Sequence, residues 1–270
     1  MLIFLCLLLV QLLVAGEANV LQRIVNGKLA KERQFPYVVQ ILIDAHNVTS
    51  LCGGSIIANN WVLTAAHCTE NATSVSLIYG SIWRKEKPTK KLLAKDHVFP
   101  HPQYNNFGGS AINDIALIRT EWVEFSVRIQ SIPLPTESRD GYNNFVGQWA
   151  FVAGWGALHN NGSASARLYW AKLQVIDESA CRYRYGNNLE GILCARSDNE
   201  QQSACDGDSG GPLVHNKELI GVLSFGSKSG CEDGDPLGFA DVSRYLGWIR
   251  HVSGVGNNYN LNVNKIIIKH

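Results

Sequence analysis

The chain has 270 residues, 46% of them apolar and 17% charged, and a formal net charge of +1 at pH 7. That length suits one large or two modest domains. The near-neutral charge lacks the footprint of phosphate binding, and the run KEKPTKK at 85–91 reads as a solvated loop, so nucleic acid is not an expected partner.

At the N-terminus, MLIFLCLLLVQLLVAG (1–16) is an apolar run of about 14 residues ending in small side chains, too short to span a bilayer and placed where a secretory signal sits. It lacks the usual positive start, and cleavage is expected after Gly16 or Ala18. A secreted, extracellular protein without a membrane anchor follows. Cys6 leaves with the signal, and the remaining Cys52, Cys68, Cys181, Cys194, Cys205 and Cys231 form an even set, as for disulfides. Sequons at Asn47, Asn71 and Asn161 agree with a glycosylated surface. Short β-branched or aromatic runs then follow one another: FPYVVQIL, SIIANNWVLTAA, SVSLIYG, IALIR, QWAFVAGW, LYWAKLQVI and ELIGVLSFG read as strands. SIPLPTESRDG (131–141) reads as a linker between them. Near the end, DVSRYLGWIRHV puts Val242, Tyr245, Leu246, Ile249 and Val252 on one helical face, with Asp241 or Ser243 as cap. Many strands and one helix predict an all-β architecture of barrels or a sandwich. The tail 256–270 begins asparagine-rich, which predicts disorder, and ends in KIIIKH, a candidate docking strand.

The segment CDGDSGGP (205–212) has turn composition, but Gly207, Gly210 and Gly211 bracket Ser209 on both sides, as expected where backbone approaches something closely. A serine hydroxyl needs an oriented imidazole and an acid to become a nucleophile. The segment also fits the G-x-S-x-G elbow of α/β hydrolases, for which Ser209, Asp233 or Asp235, and His251 stand in the required order. That fold needs alternating strands and helices, which the chain lacks. The order His, Asp, Ser is offered instead by TAAHC (64–68), NDIALI (113–118) and GDSGGP (207–212).

These three blocks resemble the chymotrypsin family of serine proteases, and the likeness extends through RIVNG (23–27), GGSII (53–57), AGWG (153–156), LCA (193–195) and SFG (224–226), covering about residues 23–254. SFG, GCE and IVNG look most like arthropod chymotrypsins and brachyurin serine collagenases. The resemblance implies two six-stranded antiparallel β-barrels packed together with a C-terminal helix. It also implies a signal at 1–16, a propeptide at 17–23, a protease domain at 24–255 divided near 135, and a tail at 256–270. His67 would be general base and acid, Asp114 its orienting carboxylate, and Ser209 the nucleophile, with Gly207 and Ser209 amides as oxyanion hole. Ser224 would support the acid, and the backbone of Ser224, Phe225 and Gly226 would pair with extended substrate. Cleavage after Arg23 would free the Ile24 amine to pair with Asp208. The implied disulfides are Cys52 with Cys68, Cys181 with Cys194, and Cys205 with Cys231.

In the family the residue six before the nucleophile floors the primary pocket, and here it is Ser203 in place of the Asp that selects Lys or Arg. Aromatic or large apolar side chains are therefore expected before the cut bond. Phe225 and Gly226 would line the pocket, Asp206 its mouth. Counting from Cys231 puts Leu237 where an inner glycine is common, which would favour small apolar residues; a one-residue shift would put Gly238 there. No cofactor or metal is expected. Expected partners are protein or peptide substrates, an activating trypsin-like protease and protein protease inhibitors, with the enzyme a monomer. The rival from another class is a catalytically silent homologue that only binds.

Overall fold

The β-branched run VVQILIDA buries both its faces: Val38, Val39, Gln40, Ile41 and Ile43 are all shielded from water. Such a strand needs neighbours on both edges and layers on both sides, and that requirement organises the N-terminal half. The computed structural model describes residues 26–84, 90–107, 110–136, 144–198 and 202–256. The expected signal, propeptide and activation site at Arg23 and Ile24, the end of the linker from 137, and the tail from 257 lie outside them.

In chain order the strands of the N-terminal half are β2 (Val38–Ala45), β3 (Val48–Ala58), β4 (Trp61–Thr64), β5 (Ser74–Tyr79), β6 (Lys90–Leu93), β7 (Val98–Pro100) and β10 (Ala116–Arg119). They form one antiparallel sheet in the order β6-β5-β2-β3-β4-β10-β7. Beside it lie a hairpin of β8 (Asn105–Phe107) and β9 (Ser110–Ile112), and the short helices α1 (Ala66–Thr69) and α2 (Ala94–His97). The C-terminal half contains β11 (Trp149–Gly154), β12 (Tyr169–Ile176), β13 (Ile192–Arg196), β14 (Pro212–His215), β15 (Glu218–Phe225) and β16 (Leu237–Asp241). Pairing of β12 with β13 closes these six into a barrel, and β1 (Lys28–Leu29) adds to the outer edge of β12. The trypsin-like two-barrel architecture is thus present, with one difference from expectation. Among the described residues the N-terminal sheet curls without closing, so it is a half-barrel by hydrogen bonding.

Local differences have physical reasons. SIIANNWVLTAA is two strands, because Asn59 and Asn60 form a turn between β3 and β4. Helix α3 (Glu178–Tyr185) has no apolar stripe to announce it; Cys181 is its one buried residue, and the Asp177 side chain caps it by accepting from Ser179 N at 2.9 Å. The C-terminal helix opens as a 3-10 turn at Val242–Tyr245, capped by Asp241 accepting from Ser243 N at 3.0 Å, and continues as α4 (Leu246–Ser253). Leu246 and Ile249 of α4 bury into the core of the N-terminal half, so the last helix clasps the first sheet.

The halves meet backbone to backbone. Gly53 N donates to Ser209 O across the seam at 2.7 Å; on the two sides of it Thr64 Oγ1 donates to Gly53 O at 2.8 Å and Gly210 N donates to Leu223 O at 2.8 Å. A Cβ on Gly53 would stand 2.9 Å from Gly211 Cα, and one on Gly211 2.7 Å from Asp208 O. Gly210 also has φ +76, where L-residues are strained. The glycines beside Ser209 therefore permit the two halves to touch. Gly210→Ala should clash with Thr64 Oγ1 and the Gly53 carbonyl, costing about 3 kcal/mol or more. A denaturant midpoint no lower than that of the unaltered protein would refute this.

Candidate active site

Strand β4 ends at Thr64, and the chain turns at extended Ala65 into α1, which projects His67 toward the seam between the halves. Asp114 is reached through Asn113, whose φ of +53 kinks the chain just before β10. Asn113 is held there by the Tyr245 hydroxyl, which donates to its Oδ1 at 3.3 Å. Burial and nearby Asp241 push the Tyr245 pKa up to about 12, so the hydroxyl stays a donor.

The Asp114 carboxylate is fully buried and takes three hydrogen bonds: from His67 N at 2.8 Å, His67 Nδ1 at 2.7 Å and Ser224 Oγ at 2.6 Å. A carboxylate accepts only, so Nδ1 carries the proton and Nε2 is left with a lone pair. Ser209 arrives from the other half: its carbonyl rests on Gly53 N, next to Cys52, whose disulfide to Cys68 brackets His67. No hydrogen bond joins the Ser209 hydroxyl to His67 among the described residues, and Nε2 faces Cys68 Sγ at 3.7 Å. Such bonds are commonly long before substrate arrives. Cys52, His67 and Cys68 lie close enough to suggest metal ligands, but both sulfurs are bonded to each other.

In the Ser209 loop the amides of Asp208, Gly210 and Gly211 are satisfied by Cys205 O, Leu223 O and Asp208 O. Those of Gly207 and Ser209 have no acceptor among the described residues. Asp206 O accepts from Ala157 N at 2.8 Å, and in a trans peptide the next N–H points the opposite way, so Gly207 N–H is turned from Ala157. Gly207 has φ +97, so its glycine is demanded by the backbone itself.

Asp208 points inward. Its carboxylate accepts from Gly156 N at 2.7 Å and Cys205 N at 3.0 Å, and occupies the space that side chains at Gly154 and Gly156 would need. Among the described residues no cation faces it. Burial raises its pKa to about 6, against the opposing pull of the two amides.

Beside Ser209 opens a cavity of about 390 Å³ whose lining includes Ser203, Asp206, Phe225, Gly226 and Leu237. Leu237 Cδ2 would lie 3.0 Å from a Cβ on Gly226, so this side chain reaches across to the facing wall. Gly238 instead pairs with Phe225 in the sheet and lies beneath its ring. Of the two, Leu237 lines the cavity and Gly238 does not. Asp235 also lines the cavity, but Arg184 Nε pairs with it at 2.7 Å. Asp233 and His251 do not line this cavity, and His251 sits on α4, so the α/β-hydrolase set is not assembled there. The remaining disulfides join Cys181 to Cys194 and Cys205 to Cys231. One wall had no motif to mark it: Asn160 Oδ1 accepts from Cys231 N at 2.7 Å and Asn160 N donates to Glu232 Oε2 at 2.8 Å, holding the 158–162 turn against the cavity.

The family model described as Trypsin matches residues 24–249. "Serine protease 1" of Drosophila melanogaster is 39% identical over 235 residues, covering 86% of each chain. "Collagenase" of Hypoderma lineatum is 37% identical over 238 residues, covering 86% of this chain and 88% of that one. The solved structure of HL collagenase aligns with a TM-score of 0.76 at 36% identity, over 85% of this chain and 98% of that chain. Mouse neuropsin aligns at 0.71 and 28% identity, over 83% and 97%.

A raised carboxyl pKa has a definite sign. Asp208 favours the folded uncut chain fully below pH 4, and that contribution is lost as pH rises through about 6, a change on the order of 3 kcal/mol. In a chain kept uncut by Arg23→Ala, Asp208→Asn should therefore gain stability relative to the parent between pH 4.5 and 7.5. Urea midpoints at the two pH values measure it; a constant gap would show that Asp208 does not titrate in this way.

Proposed function

From the premise that this chain belongs to the trypsin family and is a serine endopeptidase, we propose that it is a secreted zymogen that, once cut after Arg23, cleaves proteins beyond apolar residues through an acyl-enzyme. The observation that supports this best is the pair of unclaimed amides at Gly207 and Ser209 beside an imidazole whose Nδ1 is held by a buried carboxylate.

In this reading His67 Nε2 takes the Ser209 proton as Oγ attacks the scissile carbonyl. The carbonyl oxygen becomes an oxyanion and receives the Gly207 and Ser209 N–H groups, each such donor contributing roughly 2.7 to 4 kcal/mol to transition-state stabilisation. Asp114 stabilises the imidazolium, which then protonates the leaving amine. Water, deprotonated by the same imidazole, releases the acyl group. The Ser224 hydroxyl positions Asp114, while the backbone of Ser224, Phe225 and Gly226 would pair with extended substrate.

Activation follows from the unpaired buried charge. A carboxylate that has two amides and no cation among the described residues calls for one, and the Ile24 amine freed by a trypsin-like activator would supply it at Asp208. Removing one partner of such a buried pair costs roughly 3 to 5 kcal/mol. Asp208 is continuous with Gly207 and Ser209, so its pairing would order the oxyanion donors.

Specificity rests on an uncharged floor at Ser203 and on Leu237. A cationic side chain reaching that floor would lose its hydration without a partner there, since Asp235 is taken by Arg184 and Asp206 would stand at the mouth. The reach of Leu237 toward Gly226 supports the smaller apolar side chains over rings.

A panel of peptides carrying Ala, Leu, Phe, Tyr, Arg or Glu before the cut bond, offered to protein cleaved after Arg23, tests the whole reading. Ala and Leu should lead, Ser209→Ala should lose at least about 10^4-fold in kcat, and Leu237→Gly should shift the Phe-to-Ala ratio about tenfold toward Phe. That ratio is insensitive to how much of the variant is folded. Preference for Arg would overturn the pocket assignment, and no turnover with an intact Ile24 terminus would identify a binding homologue.

A further inference from the structure

The three sequons are not equivalent in space. Asn47, Asn71 and Asn161 are all exposed and sit in turns with φ of +65, +58 and +57. Asn47 lies between β2 and β3, Asn71 just after α1, and neither lines the cavity beside Ser209. Asn161 does.

Its turn is also anchored. The neighbouring Asn160 is bonded to Cys231 N and to Glu232, Cys231 is tied by disulfide to Cys205, which also lines the cavity, and Gly162 N closes the turn on His159 O at 3.0 Å. A side chain on Gly230 would collide with Asn160, so the two segments are in direct contact. The Asn161 side chain itself makes no hydrogen bond among the described residues.

We propose that Asn161 carries an N-linked oligosaccharide and that this glycan, fixed on the rim of the cavity, screens folded proteins from Ser209 while admitting short peptides. The inference rests on the secreted-protease reading. The co-reactant is a lipid-diphosphate-linked oligosaccharide: a C–N bond forms between Asn161 Nδ2 and the anomeric carbon, the bond from that carbon to the diphosphate oxygen breaks, and the amide gives up one proton as the lipid diphosphate leaves. A short peptide needs little beyond the cleft. A folded protein partner covers about 800 Å², an area that extends well past the cavity rim and meets anything rooted on Asn161.

Ser163→Ala removes the sequon without altering Asn161, and Ser163→Thr retains it. The full chain and both variants, made in a glycosylating secretory host and cut after Arg23, would be compared by glycopeptide mass. Turnover of an Ala tripeptide anilide and of labelled native serum albumin would be compared alongside. We expect sugar on the Asn161 peptide, albumin cleaved about tenfold faster by Ser163→Ala alone, and anilide rates within about twofold for all three forms. An unmodified Asn161, or albumin rates equal in all forms that cleave the anilide, overturns this proposal alone. Absence of anilide turnover in every form overturns the protease reading and this one with it.

Discussion

The two halves of this protein approach so closely at one line that no side chain fits between them. Gly53 on β3 and Gly210 and Gly211 after the serine form that line, sealed by the Gly53 to Ser209 hydrogen bond. Everything at the candidate site is measured from it. His67 is fixed to one side through the Cys52–Cys68 disulfide, and the serine to the other through β14 and β15. Disulfides of this loop length stabilise by roughly 2 to 4 kcal/mol, but the position of this one beside the glycine line matters more than its contribution to stability.

A second constraint is electrostatic. Asp208 places a carboxylate in an apolar interior where, among the described residues, two amides are its hydrogen-bond donors, in space vacated by Gly154 and Gly156. The tryptophan between those glycines is buried, its indole N–H donating to Ile82 O at 3.2 Å, so the wall around the carboxylate cannot easily relax. A buried charge in a stiff wall is a stored demand for a partner, and the two residues with unclaimed amides among the described residues, Gly207 and Ser209, are its neighbours in the chain.

Much of this was legible in the sequence, and the limits are instructive. The β-branched runs located β2, β5, β10, β11, β12 and β15, because a strand buried on one or both faces must write its burial in side chains. β14 and β16 escaped notice since Pro212, Gly238 and the short neighbouring runs give little periodicity, and α3 because its buried face is a single cysteine. Motifs single out His67, Asp114 and Ser209 as candidates, and the glycines around Ser209 predict a close backbone approach without saying to what. Their contact with Gly53 depends on a strand about 150 residues distant in sequence, a pairing that local pattern does not encode. The Asn160 turn was invisible for the same reason.

Asp114 receives one hydrogen bond from a side chain of the C-terminal barrel, Ser224, and two from His67 of the N-terminal half. One carboxylate therefore spans the seam, and a sliding of one half past the other must lengthen one set of bonds or the other. The cluster acts as a gauge of registry: the imidazole would lose its aim at a displacement too small to unravel any strand. A molecule that wedged the seam from the outside would silence such a centre without entering its cavity.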